Sequence, residues 1–140
     1  MKKNAGFTLI ELVAVMVILA ILSVVAVPTF VDMRVQAANA GAAGVGGAIA
    51  SGSALNYAKG VAGGGAQTVG ACTAAALQPL VAGATVSGSD IVVGGRTYTI
   101  AGAATIANGA QGACTIEDTN PTAATAQNFT AIGCANATCS

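Results

Sequence analysis

The sequence predicts an α+β fold: one long N-terminal α-helix packed on a small antiparallel β-sheet head. Three observations point there. Residues 7–27, FTLIELVAVMVILAILSVVAV, form an apolar run with a single charge, Glu11. Beyond Pro28, apolar positions recur at helical spacing as far as about Lys59. Further on, DIVVGGRTYTI (90–100) alternates around a two-glycine turn, which is a hairpin signal.

The first element is long enough for a membrane. Phe7 to Val27 as helix rises roughly 32 Å, about the thickness of a bilayer core. Lys2 and Lys3 precede it, and the positive-inside tendency keeps that end in the cytoplasm, so everything from Pro28 onward is expected to be translocated.

After Pro28 the helix is expected to resume. Phe30, Val31, Val35, Ala38, Ala42, Val45, Ile49 and Leu55 share helical spacing, with Asp32, Arg34, Gln36 and Asn39 as polar relief. Asp32 and Arg34 read as a solvated pair or as contacts between subunits. The stretch GAAGVGGAIASG (41–52) strains this reading, since each glycine weakens an isolated helix by roughly 1 kcal/mol relative to alanine. A continuous but soft helix is expected, because small residues also let packed elements approach closely.

Residues 60–71, GVAGGGAQTVGA, read as a flexible connection to the head. Thr73 is placed to cap a short helix through about Gln78, stopped by Pro79. The hairpin sets Ile91 opposite Tyr98. Two more strands are expected at Ala113–Glu117 and Gln127–Ile132, joined by a polar loop containing Asn120-Pro121. Bulk in the head is scarce: Leu55, Tyr57, Leu77, Leu80, Ile91, Tyr98, Ile100, Ile106, Ile116, Phe129 and Ile132. Tyr57 is expected to lie against the sheet. So small a core benefits from staples.

Four cysteines could supply them. Cys72, Cys114, Cys134 and Cys139 all follow the apolar segment, and an even count beyond a membrane-targeting run reads as two disulfides formed outside the cytoplasm. Three pairings are possible. Cys134 with Cys139 would close a small terminal loop, and Cys114 with Cys134 across a hairpin is equally compatible.

Composition argues against two function classes. The chain has no histidine, no zinc-spaced ligand cluster and no phosphate-cradling glycine motif, so neither enzyme chemistry nor a metal or other cofactor is expected. Nucleic-acid binding normally needs a clustered basic face. Beyond the first ten residues only Arg34, Lys59 and Arg96 are basic. Glu117-Asp118 reads as a solvated turn rather than a calcium loop. Asn128-Phe-Thr and Asn136-Ala-Thr match the acceptor pattern for N-linked sugar, a pattern that arises often by chance.

Glu11 poses the question of function. A secretory signal peptide, with a small-residue site such as Val24-Val25-Ala26, or a plain signal anchor would both explain the apolar run. Neither explains an acid that costs about 2.5–3.5 kcal/mol at mid-membrane, less near an end. Cleavage between Gly6 and Phe7 would release an amine one helical turn from Glu11. The two charges could then pair within one chain or between staggered neighbours, fixing their register.

The residues AG followed by FTLIELVAVMVILAILSVVAVP resemble the class III signal of type IV prepilins and pseudopilins. The resemblance implies a prepilin peptidase that cuts after Gly6 and methylates the Phe7 amine. Glu11 would be the buried assembly glutamate and Pro28 the proline that kinks the long helix. One departure is Ala20, where many members carry a glycine; helix unwinding between Ala20 and Pro28 on assembly is less expected here. VPTFVDMR and AIASGSALNYA are also similar to type IVa pilins of the mannose-sensitive haemagglutinin type.

The organisation implied is a leader (1–6), a long helix (7–59) whose residues 7–27 form the membrane or filament core, and a head (60–140). The whole has the lollipop architecture of pilins. The expected role is a structural subunit of a type IV pilus, homo-oligomeric in a helical filament and serving adhesion or motility. It would sit in the inner membrane before assembly, head periplasmic, where the pilus assembly machinery acts on it, and in an extracellular pilus afterwards. A type II secretion pseudopilin, a minor pilin, or a membrane-anchored binding module are the alternatives.

Overall fold

A computed structural model describes residues 7–122 and 124–140. The leader, with Gly6, lies outside the described residues. The fold is α+β, an N-terminal apolar helix followed by a five-stranded antiparallel sheet, which is the pilin-like arrangement. By its contacts the chain divides into two compact units, residues 1–34 and 35–140.

Helix α1 spans Leu9–Val61 and is helical through Ala20, Pro28 and the glycine-rich stretch alike. Within the first unit its large apolar side chains lie open: Leu9, Ile10, Met16, Ile21 and Val24 are all exposed. Leu9–Ala26 is long and apolar enough to cross a membrane.

In the second unit α1 changes character. Ala38, Ala42, Gly46, Ile49, Ser53 and Gly60 are buried, a stripe at steps of three, four and seven. Small residues form most of it, so the sheet comes close: a Cβ added to Gly46 would stand 3.2 Å from the Ile116 side chain and 3.3 Å from that of Phe129. Packing therefore holds the helix where glycine propensity would weaken it. Leu55, expected in the core, is 71% exposed because the stripe passes through Ser53 and leaves Leu55 on the opposite face. The Tyr57 ring lies beside Gly109, in the turn that precedes the fourth strand.

The segment after α1 is tied down rather than loose. Asn56 brackets the Gln67 backbone, donating to its carbonyl at 2.8 Å and accepting from its N–H at 2.7 Å. Val69 is fully buried and bridges Cys134. Helix α2, Ala74–Leu77, begins as expected, with the Thr73 hydroxyl accepting from the Ala76 N–H at 3.3 Å. A 3-10 turn containing Pro79 follows it.

Strands β1 (Thr85–Ser87), β2 (Asp90–Val93), β3 (Arg96–Gly102), β4 (Gln111–Asp118) and β5 (Gln127–Ile132) pair in sequence order. Gly94 and Gly95 both take positive φ, which a two-residue hairpin turn requires. Ile91 opposes Tyr98 as expected. Ile91, Tyr98, Ile100, Ile116, Phe129 and Ala131 point into the core. Both margins of the sheet are blunted. β1 has only three residues, and next to β5 the hydroxyl of Ser53 accepts the Ile132 N–H at 3.0 Å. Nearby, Asn39 accepts the Thr125 N–H at 2.8 Å.

One correction concerns a polar group, and one open question is settled. Asp118 is not in a solvated turn: it ends β4 on the same face as Ile116 and is 2% exposed. Register places it beside Tyr98, and Arg96 answers it with an Nε–Oδ2 distance of 2.6 Å. The hydrogen bond to Asp118, reinforced by its charge, raises the pKa of the Arg96 guanidinium above the ordinary value. The cysteines pair as Cys72–Cys114 and Cys134–Cys139. The small terminal loop thus forms, whereas Cys114 turns to Cys72 rather than to Cys134.

Candidate functional site

The chemistry-bearing end of the chain is the start of α1. Four N–H groups at a helix N-terminus have no partner within the helix, and a Thr three residues before a Glu can satisfy two of them reciprocally. Thr8-Leu9-Ile10-Glu11 has that spacing. The Thr8 N–H donates to Glu11 Oε2 at 2.8 Å, while the Glu11 N–H donates to Thr8 Oγ1 at 3.4 Å. The Thr8 hydroxyl itself donates to the same carboxylate oxygen at 2.7 Å. Glu11 therefore closes a capping box, and its charge also lies where the helix dipole favours an anion.

This local partner was missed in reading the sequence for Glu11. The signal was there, a T-x-x-E directly before an apolar run. It changes the question. The acid has a reason to exist within one chain, and the box pins the carboxylate one residue from Phe7, whose side chain is 77% exposed.

The other expected positions do not gather around this point. Pro28 lies within α1, 17 residues beyond Glu11. The two disulfides belong to the head, where Cys72–Cys114 anchors the segment before α2 to β4 and Cys134–Cys139 closes the C-terminal loop. Among the described residues no group of three His, Cys, Asp or Glu side chains is placed to hold a metal ion.

Residues 1–27 match the family model of the prokaryotic N-terminal methylation motif. With the helix and sheet above, the match supports a member of the type IV pilin and prepilin family, a class that takes in pilin-like proteins and pseudopilins. The motif implies processing by a prepilin peptidase, and together with the exposed apolar helix it fits insertion in a membrane before assembly. No curated protein and no solved structure matches the chain.

Proposed function

We propose that this chain is a structural subunit of a type IV pilus, cut after Gly6, methylated at Phe7 and polymerised through residues 7–27. One observation carries the reading: within a methylation motif, an exposed apolar helix begins with a carboxylate fixed beside the expected cleavage point. Before assembly, lipid surrounds Leu9–Ala26. In the filament, helices of other subunits replace the lipid as apolar surroundings, and the chain serves surface adhesion or motility outside the cell. The assembly machinery supplies the energy; this chain supplies shape, apolar surface and one acid.

Cleavage leaves Thr8 and Glu11 in place, so the cap persists in the mature subunit. The released Phe7 amine then lies within a residue of the pinned carboxylate, or meets that of a neighbour. Only one axial offset satisfies both charges, so the pair selects register more than it adds stability. A pilus is favoured over a type II secretion pseudopilin by the cystine-closed, acid-poor C-terminal loop, Cys134 to Cys139.

Two substitutions separate capping from assembly. Thr8→Ala removes the capping hydroxyl and costs the helix about 1 kcal/mol of local stability, with filaments retained. Glu11→Ala is expected to insert normally in the membrane yet yield no filaments. Equal, mild effects of both on the filament count by electron microscopy would reduce Glu11 to a cap. Mass spectrometry of native filaments is expected to show residues 1–6 absent and one methyl on Phe7; an intact Met1 would overturn the processing.

A further inference from the structure

The Arg96–Asp118 pair is asymmetric: the cation is 49% exposed and the acid 2%. Both line an open cleft of about 330 Å³ with Gly95, Thr97, Thr119 and Asn120. No apolar side chain lines it, so a hydrocarbon ligand would gain little there.

The acid on its floor is fully engaged. Asp118 Oδ2 accepts from Arg96 Nε at 2.6 Å, and Oδ1 accepts from the Asn120 N–H at 3.0 Å. Arg96 Nη2 donates to the Asn120 carbonyl at 2.8 Å. A guanidinium carries five N–H donors in a rigid fork. These two bonds use two of them and the Tyr98 hydroxyl engages the guanidinium as well, so the plane of the fork is fixed before any ligand arrives. The nearby acids Asp90 and Glu117 share a cross-strand row with Thr99, on the sheet face opposite to that of Tyr98 and Asp118. The mouth of the cleft is thus donor-rich, with its negative charge buried beneath.

We propose that this cleft binds a carboxylate, held by the guanidinium donors of Arg96 that remain free, with the side-chain amide of Asn120 beside them. One half-neutralised cation in a planar fork suits a singly charged planar acid better than a doubly charged phosphate. Two sources present that chemistry: a free small acid such as a uronate, and an acidic group of a second copy of this chain. The assignment does not depend on the pilus reading.

The test follows amide resonances of the isotopically labelled full chain in detergent micelles. Acetate and glucuronate are expected to give saturable shifts at Gly95–Thr97 and Asp118–Asn120, and glucose none. Shifts at the same amides that grow with protein concentration, without added acid, would assign the carboxylate to a second copy and support the same chemistry. Arg96→Lys keeps the charge but not the fork; it is expected to weaken acetate binding about tenfold with the rest of the spectrum unchanged. Asn120→Ala, which keeps the backbone bonds of residue 120 to Arg96 and Asp118, carries the test if Arg96→Lys fails to fold, and is expected to weaken binding severalfold. Non-saturating shifts, equal shifts with glucose, or affinity unchanged in the folded variants would overturn the proposal.

Discussion

The two halves of α1 solve the same problem by opposite means. Residues 7–26, with Phe30 and Met33, carry large apolar side chains and leave them uncovered; residues 35–61 carry mostly small ones and bury a stripe of them under the sheet. In the second case the chain supplies its own apolar surroundings. In the first it must borrow them, from lipid or from other helices, because so continuous an apolar surface is unfavourable in water. Helical geometry is common to both, so what separates them is where burial comes from.

The sharpest way to break this comparison is to loosen the head alone. Cys72–Cys114 closes a loop with a separation of 42 residues, against 5 for Cys134–Cys139. On the chain-entropy account the first contributes about 4 kcal/mol and the second about 2 kcal/mol. Replacing each pair by serines in the full chain in detergent, followed by chemical denaturation, is expected to rank them in that order. Equal losses would show that loop length is not what decides the contribution.

Next comes the core contact itself. Ile49 is fully buried between helix and sheet, and Ile49→Ala is expected to cost about 3 kcal/mol of head stability. Leu19, 59% exposed in the first half, is expected to change it by less than about 0.5 kcal/mol when made Ala. A large effect of Leu19→Ala on the same transition would mean that the two halves unfold as one.

The smallest effect sharpens the comparison within the head. Nothing lies within 4 Å of a Cβ added to Gly47, so Gly47→Ala is expected to stabilise by about 0.5–1 kcal/mol through helix propensity. A Cβ on Gly60 would collide with Cys139 Sγ and come within 2.9 Å of Ala66. Gly60→Ala is therefore expected to destabilise. Matching shifts in thermal midpoint for the two would refute the assigned helix face.

Much of this could be read in advance where a short-range rule decides the outcome. Gly94-Gly95 placed the hairpin and its register, Thr73 placed the α2 cap, and Gln127–Ile132 was recovered end to end. The rest depended on distant partners. Which cysteine meets Cys72 is settled by how the segment after α1 crosses β4, a contact with no local signature. Asp118 looked solvated because two adjacent acids suggest a turn; strand alternation sends one of them inward, to a cation 22 residues away. β1 is three exposed residues between glycines, too short to show a period. At the N-terminus the T-x-x-E of the capping box is legible in the sequence, whereas a partner for Glu11 in another copy has no local signature.

The trimmed rim of the sheet has a further consequence. In the filament proposed above, a β-rich head would risk cross-β growth, in which each copy adds a strand to the last. Here one rim is too short to template a newcomer, and at the other a serine hydroxyl already occupies an outward amide. If the chain polymerises as proposed, its heads would be crowded along a fibre without fusing edge to edge, leaving reversible contacts in charge of growth and dismantling.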